Sequence, residues 1–501
     1  MLRINFWSLL AFFACAWIFV VRCGAEEDRK PNVLFIALDD LRPELGCYGQ
    51  SHIHSPNIDR LSARGVVFER AYCQFPVCNA SRASILTGLR PNSTGVFNNG
   101  THFRTKAPDV ITLPEQFKNH GYHTQAYGKL FHGSFEKAYV GRAFDDPRSW
   151  SVGHWYGSPR YYFSPHGIEV ARQVYANKFK KSGPELDAWT SEFVQGLATE
   201  APVVEDNALY DGEMTDLVMR ALSELKSKPF FLAVGYLKPH LPFVAPKKYW
   251  DLYDRASIRL PIPAAAPKNA PALALQNGSE LRGQYTNMRG TEPLNDDQAR
   301  ELQHGYYACV SYVDAQIGRL LDELDRLGLR ENTIVVLWGD HGWHLGEQGL
   351  WGKQSNFELA TRVPLIIDAP GRKTAGIKNR SLVEFVDVYP SLCDLADLPL
   401  PSHLEGTSFV PLLDDPDRKG KAAAFSQVVR GKAMGRSMRT DRYRLTIWSQ
   451  QTTPDEPFAV ELYDYHQAPL EVENIASYPE NARLLESLTL RLKAGWQAAI
   501  R

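Results

Sequence analysis

The sequence predicts an α/β protein in which a central, mostly parallel β-sheet lies between helices, followed by a smaller C-terminal unit. Three apolar runs carry this prediction, at residues 32–38, 230–236 and 332–338. A continuous apolar run is typical of a strand buried on both faces, as in a parallel sheet covered by helices. Helical patterns lie between the runs, for example at 113–120 and 311–327. Strands that alternate with helices favour the α/β class.

The length and composition limit the possible functions. The chain has 501 residues, of which 44% are hydrophobic and 23% are charged, and this suits one large domain with a smaller one. Its 56 Lys and Arg residues nearly balance its 57 Asp and Glu residues. The chain therefore lacks a global basic field, and we expect no nucleic-acid partner. Any anion that it binds must meet a local cluster of positive charge.

The first 25 residues have the features of a secretory signal peptide. Arg3 precedes an apolar stretch at 6–21, small residues follow at 23–25, and the chain becomes polar at Glu26. We predict cleavage after Ala25, export to a periplasmic, secreted or lysosome-like compartment, and no stable membrane span after cleavage. The alternative is an uncleaved membrane anchor, because the apolar run approaches the length needed to span a bilayer.

Each of the three apolar strands ends in residues that bind cations, anions or protons. These residues are Asp39, Asp40, Lys238, His240, Asp340 and His341. Open α/β sheets build their sites at the carboxyl ends of the strands. Charged residues can also simply mark the point where a strand reaches the surface. We favour a site because three strands deliver chemically related residues.

Two long segments without periodicity, at 144–165 and 261–297, are predicted to be loops, and loops of this length are usually functional or mobile. The first segment is rich in aromatic residues that either line a sugar-binding rim or only pack the loop: Trp150, Trp155, Tyr156, Tyr161 and Tyr162. A stretch rich in Pro, Asp and Lys at 414–421 predicts a domain boundary. Beyond it, residues 423–463 are typical of short strands and residues 481–500 of an amphipathic helix.

The segment Cys78-Asn-Ala-Ser-Arg82, followed by Leu-Thr-Gly at 86–88, carries the most chemical information. A cysteine near the start of a helix favours an anion, so an activated thiolate is one interpretation of Cys78 and a small buried core residue is the other. Signal cleavage would leave an odd number of cysteines, so at least one thiol has no disulfide partner. The five are Cys47, Cys73, Cys78, Cys309 and Cys393.

This segment resembles the active-site and maturation signature of the type I sulfatases, a family of the alkaline phosphatase superfamily. Residues 121–132 resemble the second signature of the family, and the resemblance runs through nearly the whole mature chain. It implies an alkaline phosphatase-like large domain and a smaller C-terminal domain with an antiparallel sheet and a helix. We therefore divide the chain into a signal peptide at 1–25, a catalytic domain at 26–415 and a C-terminal subdomain at 416–501.

The resemblance also implies a cofactor set and roles for the site residues. A maturation enzyme would oxidise Cys78 to formylglycine, whose hydrated aldehyde is the nucleophile. A divalent cation would be held by Asp39, Asp40, Cys78, Asp340 and His341. Hard oxygen ligands suit Ca²⁺ or Mg²⁺, and the resemblance favours Ca²⁺.

The remaining polar residues of the two signatures and of the strand ends complete the catalytic set that the resemblance implies. In it, Arg82 and Lys129 contact the hydrate and His132 removes a proton from it. His240 and Lys353 bind the sulfate and protonate the leaving alcohol.

Within the family, Asp-His-Gly-Trp at 340–343 and Gly-Lys-Leu-Phe-His at 128–132 are most similar to iduronate-2-sulfatases. This similarity implies a 2-O-sulfated uronic residue of a glycosaminoglycan-like polysaccharide as the substrate. Other carbohydrate sulfatase specificities stay open, as does a phosphodiesterase or phosphonate hydrolase of the same superfamily. A secreted carbohydrate-binding protein with a dead site is a further alternative. Many family members have Pro where this chain has Ala80, which leaves the maturation system open.

Overall fold

The computed structural model describes residues 30–132, 145–187, 193–276, 278–290, 292–372 and 375–500. The predicted signal peptide at 1–25 and residue 144 of the first predicted loop lie outside the described residues. Among the helices that are described, none is both long enough and apolar enough to cross a membrane.

Strands and helices alternate along the first three quarters of the chain. In chain order, the strands are β1 Asn32–Leu38, β2 Val66–Tyr72, β3 His123–Gly128, β4 Thr199–Glu200, β5 Phe230–Tyr236, β6 Phe243–Val244, β7 Thr333–Gly339, β8 His344–Leu345, β9 Trp351–Gly352, β10 Arg362–Val363, β11 Leu365–Asp368, β12 Ile377–Glu384, β13 Ala424–Arg430, β14 Ala433–Arg439, β15 Tyr443–Gln450 and β16 Pro457–Asp464. The α-helices are α1 Pro56–Arg64, α2 Cys78–Thr87, α3 Pro91–Thr94, α4 Leu113–Asn119, α5 Pro165–Phe179, α6 Pro184–Asp187, α7 Tyr210–Leu225, α8 Lys247–Trp250, α9 Ser279–Gln284, α10 Asp296–Arg326, α11 Glu358–Thr361, α12 Val388–Leu395, α13 Val410–Asp414 and α14 Ala482–Ala494.

An eight-stranded sheet with the order β10-β2-β11-β7-β1-β5-β3, and with β12 beside β2, forms the centre of the fold. Strand β1 pairs in parallel with β5 and β7, so that Leu38 lies beside both Tyr236 and Gly339. Strand β3 is parallel to β5, whereas β10 and β11 run antiparallel to their neighbours. The prediction of a mostly parallel sheet is confirmed, and the register aligns the carboxyl ends of its central strands.

The central strands are buried because helices cover both faces of the sheet, as predicted. Leu34 and Ile36 of β1 lie in a hydrophobic cluster that includes residues of α7 and α10. Val33 and Phe35 face the other way, into a cluster that includes residues of α2, α4 and α12. Every residue of β1, β5 and β7 is buried, which explains why these strands are continuous apolar runs in the sequence.

Strands β13 to β16 form a separate antiparallel sheet, and α14 packs against it through Leu488. The smaller C-terminal unit with an antiparallel sheet and a helix is therefore confirmed. The helix predicted at 481–500 ends at Ala494, and a 3₁₀ turn over Trp496–Ala499 follows. The boundary between residues 415 and 416 stays a prediction.

Two expectations for the region before β7 were wrong. Helix α10 begins at Asp296, well before the predicted start at 311, because Asn295 and Gln298 form a capping box that starts it on a charged surface turn. The segment 261–297, predicted to be a loop, contains the short helix α9. Six residues are too few to show helical periodicity in a sequence.

The aromatic loop packs largely into the protein. Trp150, Tyr161 and Tyr162 are buried in the two hydrophobic clusters that flank the sheet, so these three side chains stabilise the loop instead of lining a sugar-binding rim. Trp155 is partly buried against the same core. The five described cysteines are buried and unpaired, which gives no disulfide among the described residues.

Candidate active site

The ends of four parallel strands bring the predicted site residues together. Asp39 and Asp40 directly follow β1, and Asp340 and His341 directly follow β7. Residues 129–132 follow β3, and the segment that carries His240 follows β5. Because these strands are parallel and in register, their carboxyl ends open into one pocket, as the sequence predicted.

Four buried side chains could hold a metal ion. One donor atom from each of Asp39, Cys78, Asp340 and His341 lies within 4.8 Å of the other three. Oδ1 of Asp340 accepts hydrogen bonds from the backbone N–H groups of Asp40 and His341, both at 3.0 Å, and this fixes the carboxylate between the two strand ends. Two of the four donors are carboxylate oxygens, which suit a hard divalent cation.

Asp40 adds a carboxylate to the same group and has an unusual backbone. Its φ of 62° lies in the left-handed region, which Asp tolerates better than most residues, and it turns the chain sharply after β1. Its buried Oδ2 has no hydrogen-bond partner among the described residues. Burial raises the pKa of Asp40 to about 6, although His240 and Lys353 act in the opposite direction. A buried carboxylate oxygen without a partner fits a site built for a cation.

Cys78 is the first residue of α2, a helix in which every residue is buried. Its Sγ lies 3.2 Å from Nε2 of His341 and 3.4 Å from Nζ of Lys353. Burial and the charge of Asp39 raise the pKa of the Cys78 thiol. The positive charges of Lys129 and Lys353 lower this pKa by more than burial and Asp39 raise it, so the pKa of the thiol lies below its usual value. The Cys78 thiol thus lies against the polar cluster of the pocket.

Arg82 and Lys129 neutralise the carboxylates on one side of the pocket. Arg82 is fully buried; its Nε lies 2.8 Å from Oδ2 of Asp340 and its Nη2 lies 3.5 Å from Oδ1 of Asp39. Its Nη1 also donates to the backbone carbonyl of Lys129, whose Nζ forms an ion pair with Asp39. Burial raises the pKa of Asp39, but Lys129, His240 and Arg82 hold it well below its usual value.

The backbone of Lys129 lies so close to β5 that residue 235 of this strand has no room for a side chain. A Cβ on Gly235 would collide with the backbone of Lys129, and the carbonyl of Gly235 accepts the N–H of Lys129 at 2.8 Å. Glycine at this position of β5 is therefore what allows the backbone of residue 129 to approach the strand.

His132 and His240 have opposite electrostatic surroundings. Burial and the charge of Lys129 lower the pKa of His132 well below its usual value, and its buried Nδ1 has no hydrogen-bond partner in the described chain. Burial also lowers the pKa of His240, but Asp40 reverses this and raises it to about 9. At neutral pH, His132 is therefore neutral and His240 is protonated.

The backbone around His240 fixes the direction of its ring. Nδ1 lies 2.6 Å from the carbonyl oxygen of Leu241, so Nε2 faces the pocket. The buried carboxylate of Asp211 accepts the backbone N–H groups of Leu237 and Lys238, both at 2.9 Å, and holds this segment to α7. Nζ of Lys238 donates to the carbonyls of His240 and Pro242, so it supports the segment and does not enter the pocket.

Lys353 connects the cysteine with the carboxylates on the other side of the pocket. Its Nζ lies 2.8 Å from Oδ1 of Asp40 and 3.3 Å from Oε2 of Glu280. Oε1 of Glu280 lies 3.0 Å from Nε2 of His240. Neither Glu280 nor Asp211 was predicted, because a single acidic residue in a polar segment or a helix is too common to stand out.

The structure thus has a buried group of carboxylates and cations at the carboxyl edge of a mostly parallel sheet, in an alkaline phosphatase-like fold. A model of the sulfatase family matches residues 31–398, and a model of the C-terminal region of N-sulphoglucosamine sulphohydrolase matches residues 346–497. The chain therefore belongs to the sulfatase family and is a sulfuric ester hydrolase. The resemblance found in its two signatures is confirmed.

Named relatives agree with this family assignment. The chain is 32% identical to the iduronate 2-sulfatase of Mus musculus, over 97% of this chain and 98% of the relative. It is 33% identical to the iduronate 2-sulfatase of Homo sapiens, over 91% and 93% of the two chains. The solved structure of the phosphonate monoester hydrolase of Agrobacterium radiobacter superposes with a TM-score of 0.73 at 23% identity, covering 93% of this chain and 95% of that chain. This last likeness shows the shared fold.

Proposed function

We propose that the protein is an exported sulfatase that hydrolyses 2-O-sulfate esters of uronic, iduronate-type residues in glycosaminoglycan-like polysaccharides. The observation that carries this proposal is the 32% identity to an iduronate 2-sulfatase over 97% of the chain. The pocket supports it, because a sulfate ester is an anion and Lys353 and His240 present two donors at its open side. The saccharide substrate and the export of the chain are parts of the same proposal.

The proposed nucleophile is a formylglycine made from Cys78 by a maturation enzyme. The Sγ atom of Cys78 then marks the position at which the oxygens of the modified residue would lie. Formylglycine would supply a hydrated aldehyde with one hydroxyl to attack the sulfur and a second to release the sulfate afterwards. Cys78 is suited to this role because it begins a buried helix and faces Lys353 and His341.

The proposed metal is Ca²⁺, with Mg²⁺ as the less favoured ion. Its ligands would be Asp39, Asp40, Asp340, His341 and the modified residue 78. Oδ2 of Asp40, which accepts no hydrogen bond among the described residues and lies 3.7 Å from Nε2 of His240, fits such an ion. The ion would lower the pKa of the nucleophilic hydroxyl and offset negative charge on the sulfate oxygens. Arg82 and Lys129 keep Asp39 ionised, which preserves the charge of the ligand set.

His240, Lys353 and His132 carry the proposed proton transfers. A protonated His240, directed into the pocket by the Leu241 carbonyl, would donate from Nε2 to the oxygen of the leaving alcohol. Lys353 would bind a sulfate oxygen through its Nζ. A neutral His132 would offer an unprotonated ring nitrogen to the proton of the hydroxyl at position 78.

The test is a substrate panel with the mature enzyme. We expect hydrolysis of a disaccharide with a non-reducing 2-O-sulfated uronate, and at least a hundredfold lower kcat/KM for disaccharides sulfated only at N or O6 of glucosamine, because specificity comes from contacts to the whole sugar. A phosphonate monoester serves as the comparison substrate. Preference for the phosphonate, or for a sulfate at another position, would contradict the proposed specificity.

A further inference from the structure

The carboxylate of Glu280 contacts the two donor groups, one on His240 and one on Lys353, that a bound sulfate would need. Oε1 lies 3.0 Å from Nε2 of His240, and Oε2 lies 3.3 Å from Nζ of Lys353. Both oxygens are acceptors, and the sulfate of a substrate offers acceptor oxygens to the same two atoms. We propose that the carboxylate of Glu280 occupies the sulfate-binding pair, His240 and Lys353, in the unliganded enzyme and is displaced when a sulfate group binds. This inference rests on the proposed function.

The exposure of the carboxylates indicates which of them can leave. Glu280 has a side chain that is 25% exposed, whereas Asp40, the other carboxylate that contacts Lys353, is 1% exposed. Moving a buried carboxylate away from its cation costs several kcal/mol, but a carboxylate at the boundary with water regains solvation as it leaves. Glu280 is therefore the member of the cluster that an incoming anion can displace.

The position of Glu280 in the fold fits a displaceable group. It lies in α9, a helix of six residues between the left-handed Gly278 and the turn at Tyr285, outside the central sheet. His240 and Lys353, in contrast, follow strands and are each held by a further contact, the first to the Leu241 carbonyl and the second to Asp40. The two cations thus stay in place when Glu280 moves.

An anion that binds must overcome the attraction between Glu280 and the two cations. The carboxylate therefore lowers the affinity of the pocket for sulfate groups, and this includes the inorganic sulfate released by the reaction. Weak product binding is useful in a hydrolase, because a pocket with unopposed His240 and Lys353 would retain sulfate. Removing the charge of Glu280 strengthens the binding of sulfate.

Calorimetric titration with inorganic sulfate, together with steady-state kinetics, tests the inference on E280Q at constant ionic strength. We expect the dissociation constant of sulfate and its inhibition constant to fall about fivefold to tenfold, and the KM of the sulfated substrate to fall with them. The matched control is D297N, which removes an acidic charge from a side chain that is 97% exposed at the start of α10. E280A, which also removes the charge, provides a second variant with the same expected change if E280Q does not fold.

Unchanged or weaker sulfate binding by folded E280Q would overturn the inference. A second contradicting result is a kcat that falls more than tenfold with its acidic limb shifted to lower pH, since Glu280 would then hold the proton on His240. Sulfate binding requires no turnover. Tighter binding by E280Q without any hydrolysis of 2-O-sulfated uronates would therefore overturn the proposed function and leave the role of Glu280 intact.

Discussion

Nζ of Lys353 lies 3.4 Å from Sγ of Cys78, although 275 residues separate them along the chain. The contact joins the start of α2 to the segment that follows β9. It also explains why the same lysine can lower the pKa of the Cys78 thiol and approach a substrate held at that position.

Replacing Lys353 by alanine removes an ammonium group that lies 3.4 Å from Sγ at the reacting position. We expect kcat/KM for sulfate esters to fall by about 10²–10³-fold, the loss typical of a preorganised group that stabilises transition-state charge. The control is K268A, because Lys268 is exposed and pairs with Glu473 on the surface. If K353A retained nearly the activity of the K268A control, the role given to Lys353 would be refuted.

Removal of divalent cations tests the proposed ligand set. Exhaustive chelation is expected to abolish activity and to lower Tm by about 5 °C, because buried carboxylates lose the ion that offsets their charge. Ca²⁺ should restore both properties better than Mg²⁺. D340N, which lacks one proposed ligand, should show no further fall in Tm on chelation. Full activity of a sample shown by elemental analysis to be metal-free would contradict the site.

Glu358 links the catalytic part of the chain to the C-terminal sheet. Its carboxylate lies 2.7 Å from Nη2 of Arg444 and 3.3 Å from Nε of Arg439, and it accepts the hydroxyl of Tyr72 at 2.8 Å. Burial raises the pKa of Glu358, but Arg439 and Arg444 lower it to about 2. A folded-state pKa below the unfolded value means that the stabilisation is complete above the unfolded pKa and is lost as the pH falls towards 2.

E358Q is therefore expected to destabilise the protein at pH 7 by about 3 kcal/mol, because it leaves buried arginines without their anion. The loss should shrink as the pH falls below the unfolded pKa of a glutamate. Denaturant unfolding at pH 7 and at pH 4 measures this, with E480Q as a control at an exposed glutamate in the same C-terminal region. If E358Q lost the same free energy of unfolding at both pH values, the ionised form of Glu358 would be excluded as the cause.

G235A tests the close approach between β5 and the backbone of Lys129. A methyl group there would collide with the backbone of Lys129, so we expect a loss of a few kcal/mol of stability and displacement of the Lys129 ammonium from Asp39. Thermal unfolding and activity together measure the effect. The comparison variant is G153A, at a glycine with open space around its Cα. A stable and fully active G235A would show that the strand adapts without cost.

The sequence predicted those parts of the site that follow from general rules. Buried parallel strands appear as continuous apolar runs, and their carboxyl ends meet, so Asp39, Asp340 and His240 could be assigned to one pocket before any coordinates. The start of α10 and the contacts of Glu280 could not be predicted from the sequence. A capping box on a charged turn and a six-residue helix lack apolar periodicity, and the contact of Glu280 with Lys353 depends on tertiary packing alone.

The central claim is that residue 78 is a formylglycine in a working sulfatase. Mass spectrometry of the tryptic peptide 71–82, from protein matured in a host with the modifying enzyme, tests it most directly. We expect a peptide with the mass of the aldehyde, reactive with a hydrazide probe, in a fraction that matches the specific activity across preparations. Full activity in protein whose residue 78 is entirely an unmodified thiol would contradict it.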